Sequence, residues 1–404
     1  MVRMAEPEQL CIGVATEDIT PPPGVALAGY GTRSGRAAEV GHPLRAEALA
    51  CRQGDGGWVL VTADAIGFPC DLVARVRQQV AAATGLPEAA IVLAATHTHS
   101  APAGLRTYAA ELEPVDHACR EQAEAALAAV AAAAWAGVEP GTFEAAWTEA
   151  GELAHNRRVI DADGRARNEW EDPQGRHTGY CDPAVLLVGV RRPDGRRAAV
   201  VVNYGCHPVT LGPASTAISA DYVGYLKDYL EEAAVAEVAL FALAGAANIN
   251  PRIAIRTGAE FPRAMGRALG ARCAAALAQA RPLAGGPVRT CRVPWEFVGS
   301  HAWPPSSGRR QGGTVRTEVM ALRAGDLFAL TAPGELFSEL ATEFRRLSPS
   351  PHTLVISLAN DAVGYLVTDQ TAAEGALEAM RAAGQAIEQP LLEGARAAVA
   401  GVAG

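Results

Sequence analysis

The stretch AVLLVGVRRPDGRRAAVVVNYGCH, residues 184–207, limits the fold more than any other part of the chain. Two apolar, β-branched runs flank Asp194-Gly195. Asp-Gly supplies the positive φ that a tight hairpin turn demands, so the two runs are expected to pair antiparallel. A second hairpin is expected in RTEVMALRAGDLFALTAPGE, 316–335, turning at Gly325-Asp326. Elsewhere strand-like and helix-like segments alternate. GGWVLVTADAIGF (56–68) and AAIVLAATHTHS (89–100) read as buried strands, and CDLVARVRQQVAAATG (70–85) as a helix stopping at Gly85. DHACREQAEAALAAVAAAAWAG (116–137) and VGYLKDYLEEAAV (223–235) read as further helices. HTLVISLANDAVGYL (352–366) reads as a strand leading into one long helical run, 372–401. Hairpins inside an alternating pattern give an α/β fold with a mixed β-sheet core flanked by helices, in a single large domain. No internal repeat is visible. Loops 168–180 and 300–313 are expected to form lids or substrate walls, with Trp170, Trp303 and Arg309-Arg310 as candidate contacts.

Composition removes several function classes. A net charge of −9 and the absence of a basic run argue against nucleic acid as a partner. Arg far outnumbers Lys, which with abundant Ala and Gly fits a bacterial, high-GC composition. No apolar run spans a bilayer, and no aromatic-rich amphipathic segment suggests docking to a membrane. Eight scattered cysteines without a CxxC motif and a start without a secretory signal point to reduced thiols and a cytoplasmic location.

Polar, metal-capable residues recur where apolar runs end. His97 and His99 close one run; as alternate positions of a strand they are expected to share a face, as metal ligands or as a pair of satisfied core histidines. His207 closes a second run. Glu335 follows a third at a Pro-Gly turn, where a helix N-terminal charge is the simpler explanation. Asn360, Asp361 and Tyr365 follow a fourth, and the small-residue turn in GAANINP allows close backbone approach to a ligand. Asp221 fits an N-cap or a site residue.

The ordered motifs DITPPPG, AGYG, THTHSAPAG, HNRR, NYGCHPVTLG, ISADYVGYL, GAANINP, APGELF and LANDAVGYLVT resemble the amino-terminal zinc hydrolase domain of the neutral/alkaline (non-lysosomal) ceramidase family. The resemblance runs from about residue 11 to 404. It implies a Zn²⁺ site made by His97, His207, Glu335 and Tyr365, with His99 beside the metal as a proton-transfer group. It also implies that Asn156 and Arg157 form the family's Asn-Arg motif, with Arg157 contacting substrate or oxyanion. Asn250, Asp221, Asn360 and Trp303 complete the expected substrate contacts, and Tyr365 is expected to act catalytically as well.

The chain departs from the family in three ways. The family's activity-linked serine turn, similar to GDxSPN, reads GAANINPR here, with Asn248 at the Asp position and Asn250 at the Ser position. The carboxyl-terminal β-sandwich domain of secreted ceramidases is not expected, and neither is export. The expected function is therefore zinc-dependent hydrolysis of a linear amide in a soluble small N-acyl compound. An ester- or lactone-cleaving or acyl-transferring enzyme, or a non-catalytic zinc-binding protein, are the alternatives.

Overall fold

The computed structural model describes residues 9–103, 117–300 and 312–404. Both expected hairpins are present. Ala184–Arg191 pairs antiparallel with Arg197–Tyr204, turning through Gly195 at φ 86°. Thr314–Ala324 pairs with Leu327–Thr331 through Gly325 at φ 61°.

The chain has an internal repeat that its sequence does not display. Three units share the order strand, strand, strand, helix, strand, helix. The first has strands Cys11–Asp18, Arg45–Gln53 and Gly56–Ala63, helix Cys70–Thr84, strand Ile91–Ala95 and helix His117–Ala136. The second has Thr142–Glu149, Ala184–Arg191, Arg197–Tyr204, Asp221–Glu232, Val238–Leu243 and Glu260–Leu277. The third has Val288–Val298, Thr314–Ala324, Leu327–Thr331, Ser338–Leu347, Thr353–Ile356 and Glu388–Ala403. In each unit the four strands lie side by side in sequence order. The first three are antiparallel, and the fourth returns parallel to the third after the helical crossover. What the units share is topology, carried by periodicity rather than by residue identity. The segments between equivalent elements differ in length, so no fixed period appears in the sequence.

The long run 372–401 is not one helix. It divides into Asp369–Glu374, Ala376–Met380 and Glu388–Ala403. Gly375, at φ 86° and ψ −145°, breaks it where no helical residue can sit.

The units meet along their fourth strands. Ser357 N–H donates to Leu243 O, and Ala95 N–H to Leu358 O. Asn203 joins the second and third sheets: its Nδ2 donates to Ala242 O and Val355 O, and its Oδ1 accepts from Val355 N–H. One apolar cluster runs through the first two units and reaches Met320 and Ile356; a second fills the third unit around Phe337, Phe344 and Leu391. Around this meeting point the strand ends of three different sheets open toward one another. No helix among the described residues is long and apolar enough to cross a membrane.

Candidate metal centre

Each unit sends one buried side chain to the meeting point. His97 follows the fourth strand of the first unit, His207 the third strand of the second, and Glu335 the third strand of the third. The strand before His97 ends at Ala95, and His97 itself is left-handed at φ 72°. Strand alternation therefore does not bring His97 and His99 together, as the sequence suggested; a turn does. Bonds from Thr96 N–H to Ala63 O and from His97 N–H to Ala65 O hold that turn. The result is an Nε2–Nε2 separation of 3.4 Å between the two imidazoles.

His97 Nδ1 lies 2.6 Å from Ile66 O, and His207 Nδ1 lies 2.5 Å from Ala246 O. A carbonyl only accepts, so both Nδ1 atoms carry the proton and both Nε2 atoms present a lone pair. Each Nε2 lies 3.4 Å from the same Glu335 oxygen, Oε2. Ligand nitrogens of His97, His99 and His207 all fall within 4.8 Å of one another. Burial, with His97 and His207 close by, pushes His99 well below the usual imidazole range, and burial and Arg157 push His207 down to about 4. One carboxylate and several neutral imidazoles converging in a buried space form a donor set for a borderline-soft cation. Zn²⁺ takes these ligand types, and carbonyl bonds to the distal ring nitrogens are how zinc-binding histidines are oriented.

Tyr365 stands beside this set because its short strand pairs in parallel with that of Glu335, in register Glu335↔Tyr365. Arg157 reaches the same place from the second unit. Its Nε donates to Glu378 Oε1 (2.8 Å), Nη1 to Asn250 Oδ1 (3.2 Å) and Nη2 to the Tyr365 hydroxyl (3.2 Å). Burial opposes the guanidinium charge, yet Tyr365 and Glu378 hold its pKa above the ordinary value. Burial and the Glu335 charge push the Tyr365 phenol up, so it stands protonated beside Arg157.

Four participants carried no role in the sequence reading. The Tyr30 ring packs on His99 with centroids 4.9 Å apart, and its hydroxyl donates to Leu211 O. Arg33 Nη1 donates to His99 O at 2.8 Å. Gly29, at φ 96°, lies so close that a Cβ there would meet the His99 ring at 2.5 Å. The signal for these was the Gly-Tyr-Gly of AGYG. Glu378, fully buried and paired with Arg157 and Arg158, sits in an Ala-rich run that offered no signal.

The remaining expected residues do different work. Asp221 is buried and accepts from the Thr210 hydroxyl and the backbone N–H of Thr210, Leu211 and Tyr222, which fixes the loop after His207. It is the first residue of its helix rather than the N-cap, and its carboxylate is spent within the fold. Asn360 pins the third unit to the first, since its Oδ1 accepts from Leu93 N–H and its own N–H donates to Leu93 O. Asn156 faces away from Arg157. It donates to Tyr180 O and lines a separate cavity of about 500 Å³ with Asn248 and Glu339. Trp303 and Arg309-Arg310 lie outside the described residues.

Comparison with known proteins agrees with the fold. Residues 10–276 match the family described as neutral/alkaline non-lysosomal ceramidase, N-terminal. No curated protein matches the sequence. Among solved structures, neutral ceramidase from Pseudomonas aeruginosa superposes with a TM-score of 0.81 at 17% identity, over 97% of this chain and 75% of that one. A ceramidase complexed with C2 gives a TM-score of 0.80 at 16% identity, over 96% of this chain and 75% of that one.

Proposed function

We propose that this chain, which belongs to the neutral/alkaline non-lysosomal ceramidase family, is a zinc-dependent hydrolase that cleaves the linear amide of a small, soluble N-acyl compound. Family membership supports amide-bond hydrolysis. The observation that carries the zinc is the convergence of His97 and His207 Nε2 on one Glu335 oxygen, with both Nδ1 atoms bound to carbonyls. When bound, zinc polarises the scissile carbonyl and lowers the pKa of a water molecule toward ~7.

The chain supplies the rest. His97, His207 and Glu335 hold the ion, and Tyr365, at the neighbouring register position, is placed to join them or to donate its hydroxyl hydrogen. His99 is neutral and 3.4 Å from His97, where it can take a proton from the attacking water and return it to the leaving amine. Guanidinium has five N–H donors, and Arg157 spends three on Glu378, Asn250 and Tyr365. Among the described residues one N–H on each terminal nitrogen takes no partner and is placed to serve the oxygen on which negative charge gathers. The apolar side chains of Leu243, Ala246, Ala247 and Leu336 around the histidines keep the dielectric low, which strengthens each of these contacts.

The deciding experiment is elemental analysis of untagged protein and of His97→Ala, run beside an assay of short N-acyl amides. About one zinc per chain in the first, none in the variant, and zinc-dependent amide cleavage are expected. Zinc without turnover on any amide or ester moves the chain to the non-catalytic reading. No zinc in either protein removes the metal altogether.

A further inference from the structure

Residues 169–180 cross the face of the second unit as a strap, and the structure fastens it at several points. Glu169 N–H donates to Arg157 O, His155 Nε2 lies 3.1 Å from Glu169 O, and Asn156 Nδ2 donates to Tyr180 O. Asp172 closes the turn within the strap by accepting from the backbone N–H of Arg176 and His177. One fastening differs from the rest, because it also touches the reaction centre. Asn250 Oδ1 accepts from Arg157 Nη1 at 3.2 Å, and Asn250 Nδ2 donates to Trp170 O at 2.9 Å. The carboxamide orientation is fixed by its partners, since a guanidinium only donates and a carbonyl only accepts. The Arg157 guanidinium in turn lies over the Trp170 ring, 5.3 Å from its centroid. Trp170 nevertheless stays 43% exposed, so indole surface next to the buried cation remains open.

A serine, the residue type expected at position 250 from the family resemblance, has one short-reaching oxygen to meet both partners. Asparagine has an acceptor and a donor on separate atoms. This chain therefore has a coupling of strap to guanidinium that the serine pattern does not provide in the same form. We propose that Asn250 is a positioning residue that locks the strap to Arg157, and that Trp170, held there by it, is the specificity-determining wall of the site, favouring amides with a planar aromatic group next to the scissile bond. The selecting role rests on the hydrolase reading above; the coupling does not. Stacking of a flat group on an indole whose neighbour is a fixed cation favours it over a flexible alkyl chain by about five- to tenfold.

The test has an arm that needs no turnover. Limited trypsin digestion reads cleavage after Arg176, exposed in the strap, against cleavage after Arg196, exposed at the Asp194-Gly195 hairpin. Asn250→Asp keeps an acceptor for Arg157 but loses the donor to Trp170; Asn250→Leu loses both. Both variants are expected to raise Arg176 cleavage about tenfold relative to Arg196. A general rise at both sites marks a folding defect, in which case the ratio in Asn250→Asp decides. An unchanged ratio in both variants overturns the coupling.

The second arm compares kcat/KM for the N-benzoyl and N-hexanoyl amides of one amine. Wild type is expected to favour the benzoyl compound. Trp170→Ala is expected to shrink that preference about five- to tenfold, chiefly through KM, and Asn250→Asp to shrink it in the same direction. Asn250→Leu is expected to lower kcat further than Asn250→Asp, because only the former abandons Arg157. Hydrolysis of both amides with a preference that Trp170→Ala does not move overturns the selecting role alone. Hydrolysis of neither, with a loosened strap in the Asn250 variants, overturns the selecting role and leaves the coupling intact.

Discussion

Two of the buried polar clusters among the described residues are built on opposite plans. Where the second unit's helix Asp221–Glu232 meets the first unit, Lys227 Nζ sits 2.7 Å from Glu47 and 2.8 Å from Asp64, with Arg45 3.3 Å from Glu47 and 2.7 Å from Glu231. Lys227, Glu47 and Asp64 are all at most 1% exposed. Opposite charges alternate there, and Thr62 and Thr96 hydroxyls serve the remaining carboxylate oxygens. The cluster is complete in itself. At the meeting of the three units, by contrast, imidazoles face one another and share one carboxylate. Like groups converge there, and a cation is what resolves such an arrangement. Burial and charge are common to both; what marks the functional site is complementarity left to be supplied from outside.

The largest test exchanges the two clusters' expected failures. His207→Ala is expected to lose bound zinc and drop turnover to background while metal-free stability, read by denaturant melts, stays near wild type. Lys227→Met is expected to do the reverse: zinc is retained, but stability falls by ~3–5 kcal/mol, because Glu47 and Asp64 are left buried without their cation. If Lys227→Met empties the metal site instead, the two clusters are one system, joined through Asp64 and Thr96 beside His97.

A smaller effect divides the roles inside the imidazole group. His99→Ala is expected to keep zinc by elemental analysis and lose ~10²-fold in kcat. Loss of zinc from this variant makes His99 a ligand and Tyr365 the proton donor. The smallest effect comes from a histidine outside both clusters. His155 is pushed down to about 4 by burial and by His177. Between that value and the ordinary pKa of ~6.5 the unfolded chain binds a proton that the folded chain refuses. Stability of the metal-free protein is therefore full above that range and is lost as the pH falls through it. His155→Gln is expected to remove ~1–2 kcal/mol of this acid sensitivity, measured as melting temperature against pH; the remainder belongs to the imidazole group.

Much of this was legible in the chain, for identifiable reasons. Asp194-Gly195 and Gly325-Asp326 announced their hairpins because turn chemistry is local. His97, His207 and Glu335 stood out because they close apolar runs. The three-unit repeat was hidden because strand order is decided by packing, not by neighbours in sequence. The pairing of His97 with His99 was anticipated, but through strand alternation; the left-handed turn at His97 depends on carbonyls of residues 63 and 65, which no local pattern reveals. Asp221 and Asn360 read as site residues and are fasteners, since a carboxylate or carboxamide at a strand end looks the same in either use. Tyr30 and Arg33 reach the site from the remote AGYG segment, whose glycines were the one signal for them, and Glu378 comes from an Ala-rich run in which nothing points there.

Lys227 is the one lysine in all 404 residues. Amine-directed reagents, which decorate the outside of most proteins, meet here a surface offering no side-chain amine, and beyond the chain's own α-amino group their single target lies in the interior. Labelling of that target thus becomes a clock for opening between the first and second units, readable in native buffer from one mass increment. The same arrangement gives immobilisation through amines almost nothing to hold except the amino terminus, so a lysine placed at a chosen surface position would become a unique handle.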